Sequence, residues 1–235
     1  MASLLRPPNP SHLKKAALRL SPVLTLGPFL FLASFAHTGK LFTVDVSLAR
    51  AWQSMVPEPA LVPFMLINLL GQRVAVVVYG TIAVLGLRRL HHTKESLLVL
   101  AALLLALTNS IVKILVGRPR PDADLLQVRV EAAGTLGFPS GDAQFFTIFF
   151  GLLFVLAPQL TDSAKTARLL RIACGLLLAL VGPARVALGV HWPSDVLGGY
   201  LLGGFLLWCL LATHRRFFNT NVEVPVSHEA HLPRD

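Results

Sequence analysis

The chain has 235 residues, of which 54% are hydrophobic and only 14% charged, and its mean hydropathy is +0.65. An ordinary soluble domain carries roughly a quarter charged residues, so this composition excludes a water-soluble globular fold and indicates an integral membrane protein. The net charge of +9 does not point to nucleic acid, because the basic residues lie in short clusters between apolar runs, which is the pattern of membrane topology.

Apolar runs that approach the hydrocarbon core of a bilayer need about 17–25 helical residues. The sequence has six, at 21–38, 72–88, 96–116, 142–159, 168–187 and 195–213. A shorter apolar stretch at 60–70 is either a half-helix or part of a longer tilted span, and Gly182-Pro183 interrupts the fifth run late. The pattern predicts an all-α bundle of six transmembrane helices, forming a single membrane domain over 1–235.

The two polar ends of the chain, 1–20 and 218–235, are predicted to be flexible tails. Four basic residues lie in the N-terminal tail, three lie in each of the loops 88–95 and 161–171, and three lie from Arg215 to the C-terminal end. Six spans would place all four segments on one side, and Lys and Arg are enriched in cytoplasmic loops. We therefore expect both termini to be cytosolic.

A second group of basic residues lies on the opposite side, mostly within 113–129 and at Arg185. This group violates the topology trend and needs a functional reason. Lys113 and Arg120 are seven residues apart, so they share one face if the helix continues. Arg185 adds a guanidinium that can hold an anion with two hydrogen bonds.

Two further segments reach the same surface. The Ser140-Gly141 turn opens the fourth span, so its backbone N–H groups and the helix dipole point toward a bound anion. His191 and Asp195 are four residues apart, which lets a carboxylate hold one imidazole tautomer if the segment is helical. An imidazole beside cations and an anion site is a candidate nucleophile toward phosphorus.

These residues resemble the three signature motifs of the type 2 phosphatidic acid phosphatase (PAP2) superfamily. The family patterns K-x6-R-P, P-S-G-H and S-R-x5-H-x3-D correspond here to Lys113-x6-Arg120-Pro121, Pro139-Ser140-Gly141-Asp142 and Ala184-Arg185-x5-His191-x3-Asp195. The resemblance covers about 70–213, including the order of the spans. It implies a six-helix membrane fold with its site on the extracytoplasmic side, and we expect a bacterial inner membrane.

The resemblance also implies the role of each site residue. His191 would attack phosphorus to form a phosphohistidine, and Asp195 would orient His191. The phosphate oxygens would be bound by Lys113, Arg120, Ser140, Gly141 and Arg185. No metal or other cofactor is implied. The substrate would be a lipid phosphate or diphosphate in the bilayer, of the polyprenyl diphosphate, phosphatidic acid or phosphatidylglycerophosphate type.

Two positions depart from the family pattern: Ala184 replaces a serine, and Asp142 replaces the histidine that protonates the leaving group. Asp142 has three interpretations, as the N-cap of the fourth span, as a general acid, or as a sign that the site binds without chemistry. The third interpretation makes the chain a weakened homologue that binds or transports lipid phosphates. A small secondary transporter would also fit the hydropathy, but it leaves the three motifs unexplained.

Asp142 also bears on the substrate. An alkoxide needs a proton to leave, whereas a phosphate monoester leaving from a diphosphate needs it much less, because its second pKa is about 6. A site without a strong acid therefore favours diphosphates such as a polyprenyl diphosphate.

Two groups of polar residues outside the motifs receive structural interpretations. Arg118 and Arg129 are predicted to be solvated or to contact lipid. Thr108, Asn109 and Ser110 interrupt the third span, and we expect them to form hydrogen bonds between helices.

Overall fold

The computed structural model describes residues 10–39, 42–130 and 136–218, and these residues are mainly helical. The helices in chain order are α1 Pro10–His37, α2 Thr43–Met55, α3 Leu61–Leu70, α4 Arg73–Arg89, α5 Thr93–Ala106, α6 Thr108–Val116, α7 Gly141–Leu156, α8 Ala164–Ala187 and α9 Pro193–Phe218. Short 3-10 turns lie at Glu58–Ala60 and Ala157–Gln159. The predicted all-α class is confirmed.

Four helical stretches of the described residues are long and apolar enough to cross a membrane: Thr93–Val116, Gly141–Gln159, Ala164–Ala187 and Pro193–Arg216. A fifth would be the pair Glu58–Leu70 and Arg73–Arg89, which is bent by 65°. The apolar part of α1, Pro22–His37, is shorter. Six spans and cytosolic termini therefore stay predictions.

The predicted flexible tails fall mostly outside the described residues. Residues 1–9 and 219–235 are not among them. Within the predicted N-terminal tail, residues 10–20 belong to α1, and Phe218 is the last residue of α9.

Helix α7 occupies the centre of the bundle and packs against α5, α8 and α9. Its inner face is fully buried at Phe146, Ile148 and Leu152. By contrast, Val74 and Ile82 on α4 are 76% and 65% exposed. An apolar outer surface of this kind needs hydrocarbon rather than water around it.

The close approach of α7 and α9 depends on two glycines of α9. A Cβ atom on Gly199 would lie 2.5 Å from the carbonyl oxygen of Ser140, and one on Gly203 would lie 2.8 Å from that of Gln144. Small residues let two membrane helices approach each other at the backbone. This contact brings the N-terminal ends of α7 and α9 together, and both ends carry site residues.

Helix α8 continues through Pro183, so the predicted late interruption of the fifth span is wrong. A proline within a helix disturbs the i to i−4 hydrogen bonds before it. The hydroxyl of Tyr200 inserts there: it accepts from the Gly182 N–H at 2.9 Å and donates to the Leu178 carbonyl at 2.6 Å. The broken bond is thereby replaced by a side chain of α9.

Helix α2 was not predicted, because its 13 residues are too few for a span and too polar for an apolar run. Two of its side chains bind backbone groups elsewhere in the chain. Trp52 Nε1 donates to the Pro183 carbonyl at 3.0 Å, and the Gln53 amide exchanges two hydrogen bonds with the backbone of Gln127, at 2.8 and 3.1 Å. These contacts hold α2 against the end of the bundle that carries the site.

Candidate functional site

The turn after α8 explains the spacing between Arg185 and His191. Gly189 has a φ of +74°. The Gly189 N–H donates to the Val186 carbonyl at 3.0 Å, and the Val190 N–H donates to the Arg185 carbonyl at 3.2 Å. This pair of bonds is a Schellman motif, which requires a left-handed residue at its centre. The motif ends α8 and changes the direction of the chain, so His191 comes two residues after the left-handed Gly189.

Asp195 lies in the first turn of α9, and His191 lies before that helix begins. The condition that one helical segment carries both residues is therefore not met. Asp195 Oδ2 accepts from the Trp192 backbone N–H at 3.0 Å, as in one half of a capping box. The same oxygen lies 3.5 Å from His191 Nδ1. The cap of α9, rather than a shared helix face, places the carboxylate beside the ring.

The hydrogen bonds of His191 indicate its tautomer. Nε2 lies 3.2 Å from NH1 of Arg120. A guanidinium has only donors, so Nε2 accepts and carries the lone pair. The proton of the neutral ring then lies on Nδ1, which faces Asp195. The ring presents a nucleophilic nitrogen toward the cations and a donor toward the carboxylate.

The imidazole is almost completely buried, with 1% of His191 exposed. Burial and the positive charges of Arg185, Arg120 and Lys113 hold the pKa of His191 well below its usual value. The Gly137 carbonyl acts weakly in the opposite direction. The ring is therefore neutral near pH 7, as a nucleophile must be.

The first motif does not lie on one continuous helix. Helix α6 ends at Val116, and Gly117 has a φ of +72°. Lys113 Nζ donates to the Leu136 carbonyl at 2.7 Å. Arg120 NH1 donates to the Val190 carbonyl at 2.8 Å. The two cations still act on the same imidazole, because the turn at Gly117 brings the second one back.

Ser140 and Gly141 form the start of α7. Ser140 is the N-cap, and its Oγ accepts from the Ala143 N–H at 3.5 Å. Its own N–H donates to the Asp195 carbonyl at 2.9 Å. Gly141 lies against Asn109, since a Cβ atom there would be 3.0 Å from Asn109 Oδ1. The amino end of α7 is thus fixed beside the amino end of α9.

The polar residues of the third span support this arrangement. Asn109 donates to the Gln144 side chain at 2.8 Å, and Gln144 donates to Thr108 Oγ1 at 3.0 Å. The predicted hydrogen bonding between helices is confirmed for these two residues. Ser110 is not part of this contact.

Asp142 is the second residue of α7, so the interpretation of Asp142 as the N-cap is wrong. Its Oδ2 accepts from Arg185 NH1 at 2.7 Å. The same guanidinium nitrogen donates to Asn68 Oδ1, and Arg185 Nε has no hydrogen-bond partner among the described residues. A Cβ atom on Gly71 would contact the Asp142 carboxylate. The bend between α3 and α4 therefore forms one wall of the site.

Arg118 is 1% exposed, so its predicted solvated or lipid-contacting role is wrong. Its guanidinium bridges two carboxylates, with 2.7 Å from NH1 to Asp195 Oδ1 and 2.7 Å from NH2 to Asp45 Oδ2. Arg129 is largely buried as well, and it pairs with Glu58 at 3.6 Å. The sequence interpretation missed Asp45, Asn68 and Arg118. The one available signal was a lone acidic residue, Asp45, in a chain poor in charge.

Among the residues that the structure describes, no three His, Cys, Asp or Glu side chains lie together in a way that could hold a metal ion. The charges opposite the nucleophile come instead from Lys113, Arg120 and Arg185.

Comparison with known proteins gives a family and named relatives. The PAP2 superfamily profile matches residues 95–219. The chain is similar to phosphatidylglycerophosphatase B of Bacillus subtilis, with 30% identity over 184 residues, covering 77% of this chain and 88% of that protein. It is also similar to decaprenylphosphoryl-5-phosphoribose phosphatase of Mycobacterium tuberculosis, with 37% identity over 98 residues, covering 40% of this chain and 46% of that protein.

Two solved structures resemble the fold. The crystal structure of a transmembrane PAP2 type phosphatidylglycerolphosphate phosphatase from Bacillus subtilis superposes with a TM-score of 0.72 at 26% identity, covering 84% of this chain and 98% of that one. The structure of Aquifex aeolicus LpxE superposes with a TM-score of 0.54 at 25% identity, covering 73% and 96% of the two chains.

Proposed function

Because this chain belongs to the PAP2 superfamily, we propose that it removes a phosphate group from a membrane lipid through a phosphohistidine on His191. The predicted family and the predicted class, a phosphatase, are confirmed by the relatives. The chain is a multi-pass membrane protein. The observation that carries the mechanism is the Nε2 lone pair of His191, which is directed at Arg120.

The first step is an attack on phosphorus. The phosphate enters between His191 and the cations, so its oxygens replace the imidazole as the partner of Arg120 and reach Lys113 and the free Nε of Arg185. Nε2 forms the bond to phosphorus as the bond to the leaving oxygen breaks, and the oxygen leaves with the electron pair. The cations stabilise the charge on the phosphoryl oxygens, while Asp195 stabilises the positive imidazolium through Nδ1.

The second step is hydrolysis of the phosphohistidine. A water oxygen attacks phosphorus, the bond to Nε2 breaks, and the electron pair returns to the ring. The proton of that water must be taken up by a nearby base. Asp142 is suited to this role, because it is a carboxylate on the phosphate side of the ring.

Asp142 is less suited to protonating the leaving group in the first step. Its Oδ2 accepts a hydrogen bond from Arg185 at 2.7 Å, and this ion pair favours the carboxylate without a proton to give. A leaving alkoxide would lack its proton, whereas a leaving phosphate monoester needs it much less. We therefore infer that lipid diphosphates, such as a polyprenyl diphosphate, are better substrates than monoesters such as phosphatidic acid or phosphatidylglycerophosphate.

An apolar groove beside the site fits the lipid part of the substrate. Its volume is about 360 Å³, and it lies between α4, α7 and α8. It is lined by Leu70, Tyr79, Ala83, Phe149, Phe150, Leu153 and Leu177. Leu70 precedes Gly71, which contacts Asp142, so the groove begins where the phosphate site ends. A chain in this groove would stay in the bilayer while its headgroup lies at His191.

The proposed site lies on the extracytoplasmic side of a bacterial inner membrane, with both termini cytosolic. The distribution of Lys and Arg supports this orientation.

Phosphate release from the purified protein in detergent tests the proposal. Wild type and His191→Ala are compared on a polyprenyl diphosphate and on phosphatidic acid. The proposal expects release that depends on His191, and a phosphorylated protein after an alkaline quench. Equal release by the two proteins would contradict it.

The Asp142→His variant tests the inference on substrate. It should raise turnover of phosphatidic acid and leave turnover of the diphosphate nearly unchanged. An equal effect on both substrates would sink the inference.

A second candidate function is binding or transport of a lipid phosphate without hydrolysis. The ion pair between Asp142 and Arg185 favours binding without hydrolysis, because Asp142 takes the position of the family's acid histidine and is held by Arg185. Retained binding of a lipid diphosphate, with no His191-dependent phosphate release from any substrate, would decide for this candidate.

A further inference from the structure

A buried polar network lies behind the proposed nucleophile, on the side of the ring away from the phosphate. It consists of Asp45 from α2, Arg118 from the loop after α6, and Ser194 and Asp195 from α9. All four are at most 9% exposed. Only Asp195 belongs to the three sequence motifs. Asp45 also lies outside the residues matched by the family profile.

The Asp45 side chain accepts hydrogen bonds from three donors. Its Oδ1 accepts from the Ser194 N–H at 2.8 Å, and its Oδ2 accepts from Ser194 Oγ at 2.5 Å and from Arg118 NH2 at 2.7 Å. All three partners donate to the carboxylate, and a carboxyl that carried a proton would lose one of these hydrogen bonds. Asp45 thus fixes both the start of α9 and one edge of the Arg118 guanidinium.

Asp195 is fixed by the other edge of the same guanidinium. Arg118 NH1 donates to Asp195 Oδ1 at 2.7 Å and also to Ser194 Oγ at 2.6 Å. The second oxygen, Oδ2, is left to face Trp192 N–H and His191 Nδ1. The carboxylate therefore cannot rotate without breaking a buried charged hydrogen bond, which is costly.

The network also has a defined charge. Two carboxylates and one guanidinium leave one net negative charge next to Nδ1. Formation of the phosphohistidine gives the ring one positive charge, so the network becomes neutral at that step. A buried charge that is matched only during the reaction lowers the barrier more than it strengthens substrate binding.

We propose that Arg118 and Asp45 are positioning residues for phosphoryl transfer: Arg118 holds the Asp195 carboxylate directed at Nδ1 of His191, and Asp45 holds Arg118 and the start of α9 in place. This inference rests on the proposed function of His191. Neither residue reaches the phosphate side of the ring, so their effect passes through Asp195. The groups that face the His191 and Asp195 pair, from all the elements around it, are Asp45, Lys113, Arg118, Arg120, Asp142 and Arg185.

The test is the pH profile of phosphate release from the full chain in detergent, with a polyprenyl diphosphate as the substrate. Activity on the acid side requires a neutral His191 and an ionised Asp195. Asp45→Asn removes a negative charge, so both conditions hold to lower pH, and the acid limb should move down by about one pH unit. Arg118→Gln removes a positive charge and should move the same limb up by a similar amount.

The kinetic constants separate positioning from binding. The kcat of both variants should fall roughly 10–100-fold, as when a group that orients a metal-ligating histidine is removed. KM should stay within about twofold, because neither side chain touches phosphate. Arg118→Lys keeps the charge and should return the acid limb to the wild-type position.

Arg129→Gln is the matched control, since it removes a largely buried arginine of the same surface that pairs with Glu58 instead of Asp195. It should leave the profile unchanged. Opposite shifts for Asp45→Asn and Arg118→Gln support the inference, and shifts in one direction or no shift overturn it. If Arg118→Gln does not fold, a downward shift of Asp45→Asn relative to the control supports the inference, and its absence overturns it.

The same assay distinguishes this inference from the proposed function. If His191→Ala releases phosphate as wild type does, the proposed function fails. If His191→Ala is inactive but the two charge variants leave the acid limb in place, only the positioning role fails.

Discussion

The two sides of the His191 ring carry opposite charges and are built in different ways. Among the described residues on the phosphate side, three cations, Lys113, Arg120 and Arg185, lie around one carboxylate, Asp142. On the other side, Arg118 lies between two carboxylates with every distance at 2.7 Å. The first arrangement is suited to a ligand that brings its own negative charge. The second is complete without a ligand and can serve as a rigid support.

The comparison predicts a large difference in stability between two neighbouring arginines. Arg118→Met leaves two buried carboxylates without their cation and should lower the free energy of unfolding by about 3–5 kcal/mol. Arg120→Met should change it by less than about 2 kcal/mol, because the hydrogen bonds to the Val190 carbonyl and to His191 Nε2 are lost while repulsion among the cations is relieved. Unfolding in a denaturing detergent series measures both. Similar losses for the two variants would break the comparison.

For kcat/KM the order of the two arginines should be reversed, with the larger loss at Arg120 than at Arg118. Arg120→Met removes a donor from the phosphate and should lower kcat/KM for a lipid diphosphate by roughly 10²–10³-fold, with a raised KM. Initial rates across a substrate series provide the measurement. Arg129→Met is the control, and it should leave kcat/KM near the wild-type value. An unchanged KM in Arg120→Met would contradict a direct phosphate contact.

The pH dependence should reflect the cations on the phosphate side. Burial and the charges of Arg185, Arg120 and Lys113 depress the pKa of His191. The ring therefore stays neutral until the pH drops through this depressed pKa, below the ordinary value of about 6.5. Bound phosphate cancels part of the positive charge, so the acid limb of kcat should lie at higher pH than that of kcat/KM. Coinciding limbs would show that the cations do not act on the ring.

The smallest expected effect concerns Asp142, a carboxylate on the phosphate side that pairs with Arg185. Asp142→Asn removes the charge that competes with phosphate for Arg185. It should strengthen inhibition by inorganic phosphate or vanadate about twofold to fivefold, as expected for one partly exposed ion pair. Inhibition constants at one ionic strength measure this effect. Weaker inhibition would mean that Asp142 assists anion binding instead of opposing it.

Much of the fold was accessible from local patterns. The apolar runs at 72–88, 142–159 and 195–213 correspond to α4, to α7 with its following turn, and to α9 within a few residues. Runs of this length have few alternatives in a bilayer, because every backbone group must be bonded within the segment. Helix α2 could not be found in this way, since it is short and only its tertiary contacts hold it in place.

The local geometry of the motifs was harder to predict than their composition. The sequence left open whether His191 and Asp195 share a helix, and α9 begins only at Pro193, after His191. It also left open whether one helix continues through Lys113 and Arg120, and α6 ends before Gly117. In both cases a left-handed glycine redirects the chain, and spacing alone does not distinguish a turn of this kind from a continuing helix.

The sequence by itself determined that this protein lies in a membrane, belongs to the PAP2 superfamily and carries histidine, carboxylate and three cations in one set of motifs. Those conclusions rest on composition and on spacing along the chain. Only the tertiary structure decided that Arg118 is buried between Asp45 and Asp195 and that Asn68 and Asp142 share Arg185. Such pairings join residues more than 40 positions apart, and they form because helix packing buries these side chains away from water.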